Sequence, residues 1–259
     1  MIYPPQISYI SIGNINIHFY GLIIALSIIV CVYLLDVISK KIKTELSCDV
    51  IYDILPITVI FSILGARLYY VLLNFNYYFY HPKEIFMIWQ GGLSIHGAIL
   101  AGFLSIILIL KIKKFQILPY LDVFACVLPL GQAVGRWGNY VNQEAFGTPC
   151  HYIWCMYIEP ALRPLNYKTQ EFFHPAFLYE SILDFIVFIL LFVLLVKCKK
   201  LKSGIIASGY IILYSLVRIV VELIRTDAAV YILGIPFPVF VSIIFLFMGI
   251  ILITLIYKR

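Results

Sequence analysis

The chain has 259 residues, of which 63% are hydrophobic and 12% are charged, and its formal net charge is +6 at pH 7. Soluble globular domains carry about 25% charged residues, so the composition excludes an ordinary water-soluble fold. The mean hydropathy of +1.00 predicts a membrane protein with several spans.

Seven apolar segments have about the 20 residues that a hydrocarbon layer of ~30 Å requires. They lie at 17–36, 50–73, 93–110, 117–135, 176–196, 204–224 and 236–257. The predicted fold class is therefore an all-α polytopic membrane protein with seven transmembrane helices. We expect a single transmembrane domain over residues 1–259.

Basic residues cluster in every second connection between these segments. The clusters are Lys40, Lys41 and Lys43, then Lys111, Lys113 and Lys114, then Lys197, Lys199, Lys200 and Lys202, and finally Lys258 and Arg259. The positive-inside rule predicts that these connections are cytoplasmic, with the N-terminus outside and the C-terminus inside. Anionic lipid head groups then account for the positive charge, and no nucleic-acid partner is inferred. The first residues lack a basic n-region, so we expect no cleaved signal peptide.

The first two spans each carry a residue of interest near the predicted outer end. Tyr20 lies near the start of the first span, where tyrosine alone is typical of an interfacial aromatic belt. Arg67 lies in the outer half of the second span and could snorkel to the interface. The connection at 74–92 is rich in aromatic residues and is predicted to lie along the membrane surface.

A histidine lies near the start of the third span. His96 stands about one turn inside the outer boundary and has Gly91, Gly92 and Gly97 around it. A lone histidine on an apolar helix is more often a packing residue. However, the glycines leave room for close approach of backbone or ligand, and ionisable groups inside membranes are usually functional. His96 is therefore a candidate site residue.

The most polar stretch in the apolar part of the chain is 130–147, LGQAVGRWGNYVNQEAFG, in which the fourth span ends. It places Arg136, Asn139, Asn142 and Glu144 among four glycines. Because a charged side chain in lipid costs about 3 kcal/mol or more, such a cluster must face protein, water or a ligand. The stretch therefore predicts a functional site.

The longest outer connection, 148–175, is predicted to form a small extracytoplasmic cap with short strands or turns. Cys150 and Cys155 share this segment and allow two interpretations, a disulfide in an oxidising compartment or two free thiols. The six cysteines contain no C-x-x-C pair, which argues against a zinc site.

The sixth span carries Tyr214, Arg218 and Glu222 at four-residue intervals, which places them on one helix face. Arg218 and Glu222 are predicted to pair. A purely structural ion pair is the competing interpretation, because buried pairs are often scaffolding.

With the predicted orientation, the polar residues of different spans fall in the outer half of the membrane. They are Tyr20, Arg67, His96, Arg136, Tyr179, Glu180, Arg218 and Glu222. Arginine forks suit the phosphate of a phospholipid head group, and histidine can move a proton near neutral pH. The sequence contains no carboxylate cluster of the kind that holds magnesium, so we predict phospholipid-group transfer without a metal or other cofactor.

The stretch 135–147, GRWGNYVNQEAFG, resembles the G-R-x-G-N-(F/Y)-x-N-x-E-x-x-G signature of the prolipoprotein diacylglyceryl transferases. The resemblance includes 18–21, the H-G pair at His96, 174–180 and 214–225, and so covers nearly the whole chain. It implies transfer of diacylglycerol from phosphatidylglycerol to the lipobox cysteine of a prolipoprotein signal peptide, in the bacterial inner membrane. The expected products are a thioether and glycerol 1-phosphate.

The matching positions imply roles for individual residues. The expected catalytic residues are His96, Arg136, Glu144 and Arg218, and the expected substrate-binding residues are Tyr20, Asn139, Gly147, Tyr214 and Glu222. Arg67, because of its charge in the outer half of the second span, and Asn142, because of its place in the polar stretch, are also expected to bind substrate. His96 is our choice for the base that takes the thiol proton, and Glu144 is the alternative, because a carboxylate in an apolar pocket can also accept a proton.

Two positions depart from the family pattern. The chain has Ala98 where the family often has a second glycine after the histidine, and the stretch 175–180 reads PAFLYE where P-S-Q-L-Y-E is common. The alternative function is a transporter or channel for an anionic solute. It would require polar groups in the inner half of the membrane and paired broken helices, and the sequence indicates neither.

Overall fold

A computed structural model describes residues 1–5, 7–12, 15–42, 48–198, 200–226 and 231–258. The helices are α1 (Phe19–Ile42), α2 (Cys48–Leu73), α3 (Phe75–Tyr80), α4 (Ile95–Ile112), α5 (Ile117–Asn142), α6 (Ala176–Lys197), α7 (Ile205–Glu222) and α8 (Phe237–Lys258). Within the described ranges, seven of these helices, all except α3, are long and apolar enough to cross a membrane. The seven predicted spans are confirmed. Of the basic residues assigned to cytoplasmic connections, Lys43, Lys199 and Arg259 lie outside the described residues.

Short antiparallel strand pairs lie between the helices. The strands are β1 (Tyr9–Ile12) with β2 (Ile15–His18), β3 (Met156–Tyr157) with β4 (Phe172–Phe173), and β5 (Tyr231–Ile232) with β6 (Ile235–Pro236). In the first pair Tyr9 stands opposite His18, so the chain enters α1 directly from a hairpin. These pairs add little to a fold that is mostly helical, as expected from the composition.

Helix α5 extends beyond the fourth predicted span, which ends at residue 135, and includes the first part of the polar motif. Within this extension, a glycine lets a neighbouring side chain lie against the helix backbone. A Cβ atom on Gly138 would lie 2.2 Å from the Cδ2 atom of Tyr20. The close packing of α1 on α5 therefore requires glycine at this position.

The chain packs as two compact units, one formed by residues 1–42 with 121–259 and the other by residues 43–120. In the first unit, α7 packs against both α6 and α8. In the second, α2 packs against α4 at very close range, since a Cβ atom on Gly97 would lie 2.2 Å from the Gly65 carbonyl oxygen.

The segment 148–175 contains β3, β4 and short 3-10 turns, so the prediction of short strands and turns is confirmed. Met156, Ile158 and Phe173 of this segment form a buried cluster with Phe146 before it and Phe177 of α6. The Sγ atoms of Cys150 and Cys155 form a disulfide. This decides between the two interpretations that the sequence left open.

Candidate functional site

Two arginines from different helices meet on one buried carboxylate. Glu180 of α6 has a side chain only 1% exposed, and its Oε1 atom accepts a hydrogen bond from Arg136 Nη2 of α5 at 2.5 Å. Arg218 Nη1 of α7 donates to Oε1 at 3.0 Å and to Oε2 at 3.2 Å. A buried carboxylate is stable only when it is well paired, and this pairing draws the two guanidinium groups together.

The ion pairs continue along α7 to its C-terminal end. Arg218 Nη2 donates to Glu222 Oε2 at 2.9 Å, which confirms the predicted pair at a spacing of four residues. Arg225 Nε lies 3.8 Å from the same Glu222 oxygen. The side chains of Arg136 and Arg218 remain 20% and 13% exposed. The two forks are therefore held by carboxylates but are not sealed from a ligand.

The polar turn after α5 brings together the three other polar residues of the motif. Glu144 Oε1 accepts from Asn139 Nδ2 at 3.0 Å and from Asn142 Nδ2 at 3.4 Å. The backbone turns sharply here, because Gln143 and Ala145 have φ angles of +53° and +56°. Glu144 itself is exposed. The turn therefore presents one carboxylate oriented by two amides.

Gly147 ends the motif at a contact with the end of α7. Its N–H donates to the His174 carbonyl at 2.8 Å, and Thr148 N donates to the Ile224 carbonyl at 2.9 Å. A Cβ atom on Gly147 would lie 2.7 Å from Ile224 Cγ2 and 2.9 Å from His174 Cβ. Close packing of the backbone against Ile224 and His174 therefore explains why position 147 is a glycine.

Two of the predicted tyrosines lie near the arginine cluster. The ring of Tyr20 packs on Gly138, and its hydroxyl is within electrostatic range of Arg136 and Glu144. Tyr214 stacks on Tyr210 with a centroid distance of 5.7 Å, and the charges of Arg136, Glu180 and Arg218 act on it. The first unit therefore gathers nine of the eleven predicted residues, with Gly147 contributing through its backbone.

Comparison with known proteins shows which family the chain belongs to. The family model described as prolipoprotein diacylglyceryl transferase matches residues 8–255. The chain belongs to this family. A relative from Parasynechococcus marenigrum is 42% identical over 219 residues, covering 83% of this chain and 78% of its own length.

Further relatives come from Trichormus variabilis, 41% identical over 223 residues with 85% and 78% covered, and from Thermotoga maritima, 41% identical over 220 residues with 84% and 73% covered. All three are named phosphatidylglycerol–prolipoprotein diacylglyceryl transferase. The chain is thus a multi-pass membrane transferase of a bacterial family, and the transporter alternative is not favoured.

Arg67 of the transferase lies in the second unit and acts as an anchor for the loop that follows α3. The residue is 6% exposed. Its guanidinium donates to the backbone carbonyls of Glu84 (2.5 Å), Ile85 (2.8 Å), Gly91 (2.8 Å) and Gly92 (3.0 Å). The loop carbonyls therefore occupy the donors of the Arg67 guanidinium. Its predicted role in substrate binding stays a prediction.

A cavity of about 420 Å³ adjoins this anchor. Tyr70, Asn74, Tyr77 and Glu84 are among its lining residues. The Tyr77 hydroxyl donates to Glu84 Oε2 at 2.8 Å, and this bond raises the pKa of Tyr77. The lining is polar and aromatic, but the arginine beside it is already occupied by the loop.

His96 is the second residue of α4 and is exposed. Its ring centroid lies 6.1 Å from that of Tyr69. The adjacent Gly97 serves the packing of α4 on α2, which is one of the two purposes expected of the glycines here. The prediction that His96 meets the arginine cluster stays a prediction.

Two acidic residues of α6 belong to the cluster although the sequence pattern assigned them no role. Glu180 is the shared partner of Arg136 and Arg218, and Asp184 is completely buried one turn farther along the helix. A signal for both was present, since two carboxylates at a spacing of four residues are unusual in an apolar span. Such a pair indicates a polar helix face.

Proposed function

We propose that the chain transfers the diacylglyceryl group of phosphatidylglycerol to the lipobox cysteine of prolipoproteins, and that it releases glycerol 1-phosphate. The observation that carries the proposal is the convergence of Arg136 and Arg218 on Glu180. The names of the relatives support the same reaction. Partners are phosphatidylglycerol, prolipoprotein signal peptides and the surrounding membrane lipids.

The arginine forks would bind the phosphate of the lipid. Guanidinium groups bind phosphate oxygens in bidentate geometry, and each arginine has further N–H donors with which it can bind a phosphate while Glu180 stays paired. Glu222 keeps Arg218 oriented through the 2.9 Å bond. Asn139, Asn142 and Glu144 would shape the head-group site, with Tyr20, Tyr214, Gly147 and Arg67 as further binding positions.

The reaction needs the cysteine as a thiolate, because the thiol itself is a poor nucleophile. The base removes the thiol proton, and the sulfur attacks the glyceryl carbon that carries the phosphate. The carbon–sulfur bond forms as the carbon–oxygen bond breaks, and the electron pair leaves with the phosphate oxygen. Arg136 and Arg218 would stabilise the charge that develops on that oxygen.

The base is His96 in our proposal, with Glu144 as the alternative. Histidine ordinarily changes charge close to neutral pH, and His96 is exposed at the start of α4. Glu144 is also exposed and is oriented by two amide groups. Both side chains are accessible to a substrate thiol, so substitution experiments must distinguish them.

The protein is proposed to have its N-terminus outside and its C-terminus in the cytoplasm, with 148–175 as an extracytoplasmic cap. The basic connections support this orientation. The disulfide between Cys150 and Cys155 supports it independently, because disulfides persist in oxidising compartments outside the cytoplasm. The phosphate site would then face the outer leaflet.

The test is incubation of the purified protein with phosphatidylglycerol vesicles and a lipobox peptide. We expect the peptide to gain the mass of one diacylglyceryl group on cysteine and an equal amount of glycerol 1-phosphate to be released. A peptide with serine in place of the cysteine is the matched control and should gain nothing. If the cysteine peptide yields neither product, the proposed function is overturned and transport of an anionic solute is favoured.

A further inference from the structure

A buried carboxyl group in the arginine cluster has no hydrogen-bond partner among the described residues. Asp184 of α6 is 0% exposed, and neither Oδ1 nor Oδ2 contacts a donor in the part of the chain that the structure describes. Glu180, one turn away on the same helix, has two arginine partners. The two acids therefore have opposite environments.

Ionisable groups surround Asp184 on its own helix and on two others. Glu180 of α6 acts on it as a like charge, whereas Arg136 of α5 and Arg218 of α7 act as opposite charges. Tyr210 and Tyr214 of α7 also face it. The arginine donors are directed to Glu180 and Glu222, so the attraction reaches Asp184 without a hydrogen bond.

An ionised carboxylate in this position would be costly. A buried charge is tolerated when it is paired and hydrogen-bonded, and otherwise the group stays neutral. The carboxylate of Glu180 nearby adds repulsion. A carboxylic acid that carries its proton avoids both costs.

Asp122 shows how another buried carboxyl group of the same unit is provided with hydrogen-bond donors. It is also buried, at 6% exposed, but it accepts hydrogen bonds from the backbone N–H groups of Gly204 (2.6 Å) and Ala207 (2.8 Å) at the start of α7. Backbone donors at a helix N-terminus stabilise a negative charge. The comparison makes the isolation of Asp184 a specific feature of the arginine cluster.

We propose that Asp184 is held as a neutral acid and thereby adds no negative charge beside the arginines that hold the phosphate of the anionic lipid. Arg136 and Arg218 already share the carboxylate of Glu180, and Arg218 also pairs with Glu222. An ionised Asp184 would add a third carboxylate to the cluster and would repel the phosphate. Asp184 is thus a positioning residue, and this inference rests on the proposed function.

The protonation state is tested by infrared spectroscopy of the full-length protein in lipid. At neutral pH the wild type should show the carbonyl band of a protonated carboxylic acid, and Asp184→Asn should lack that band. Asp122→Asn is the matched control and should keep it. Absence of the band from the wild type, or its persistence in Asp184→Asn, would overturn the inference.

The effect of the Asp184 charge on lipid binding is tested by measuring the infrared band of the protonated acid and the KM for phosphatidylglycerol at a series of pH values from about pH 6 to about pH 9. At the pH where the band disappears, KM of the wild type should rise about tenfold, which corresponds to about 1.4 kcal/mol, while Asp184→Asn shows no rise there. If the band disappears as the pH rises but KM stays constant, the proposed effect of the Asp184 charge on lipid binding is overturned. Failure of the proposed function is distinct, because then the wild type forms no thioether product, whereas the infrared result is unaffected.

Discussion

Arginines in apolar helices serve different purposes in the two units of this protein. Arg67 is 6% exposed, donates to four backbone carbonyls and lies with its guanidinium carbon 5.2 Å from the ring centroid of Tyr78. Arg136 and Arg218 donate to carboxylates and stay partly exposed. Backbone carbonyls cannot leave without unfolding the loop, whereas a carboxylate can share its arginine with another anion. The partner of the arginine therefore distinguishes an anchor from a candidate phosphate site.

The largest expected effect concerns the proposed base in the second unit. His96→Gln should abolish diacylglyceryl transfer, because glutamine cannot take the thiol proton. Binding of phosphatidylglycerol vesicles should persist, because the arginine cluster is unchanged. The measurement is thioether formation alongside a vesicle-binding assay. Glu144→Gln is the matched variant, and full turnover by His96→Gln with loss in Glu144→Gln would transfer the role to the carboxylate.

The next largest effect concerns the guanidinium group of Arg136, which is paired with a carboxylate and remains partly exposed. Arg136→Lys keeps the positive charge but loses the planar pair of donors, so kcat/KM for phosphatidylglycerol should fall by about 100-fold or more. Steady-state kinetics with the lipobox peptide measures the loss. Turnover at the wild-type rate would argue against bidentate recognition of phosphate by this residue.

The anchor should respond differently to the same substitution. Arg67→Lys leaves several loop carbonyls without a donor, and each unsatisfied buried group costs about 1–3 kcal/mol. We expect a clear fall in Tm in detergent and a smaller loss of kcat/KM than Arg136→Lys shows. If Arg67→Lys keeps the wild-type Tm but loses as much activity as Arg136→Lys does, the assignment of Arg67 as a loop anchor and of Arg136 as a phosphate-binding residue is wrong.

The smallest effect concerns the glycine contact that holds the second unit together. Gly97→Ala would place a methyl group 2.2 Å from the Gly65 carbonyl oxygen, and such overpacking costs about 1–3 kcal/mol. Gly21→Ala is the control, because a Cβ atom there has no neighbour within 4 Å among the described residues. Thermal unfolding compares the two. Equal Tm values would show that α2 and α4 can separate without cost.

Local features of this protein were predictable from the sequence alone. The seven spans follow from the length and hydropathy of each apolar run, and the Arg218–Glu222 pair follows from the helical spacing of four residues. The apolar run at 117–135 did not show that α5 continues for seven more residues, to Asn142, because the hydropathy falls in that stretch. The contacts of the extension come from a distant segment, since the ring of Tyr20 packs on Gly138.

The sequence by itself determined the membrane architecture, the family and the residue types of the candidate site, because hydropathy, spacing and a signature motif are properties of neighbouring residues. Only the tertiary structure decided which partners the charges have. Glu180 is 44 residues from Arg136 and 38 from Arg218 in the chain, and Arg67 reaches carbonyls 17 to 25 residues away. Hydrogen-bond partners at such separations depend on how helices and loops pack. The sequence around an arginine therefore does not show whether the side chain anchors a loop or faces a ligand.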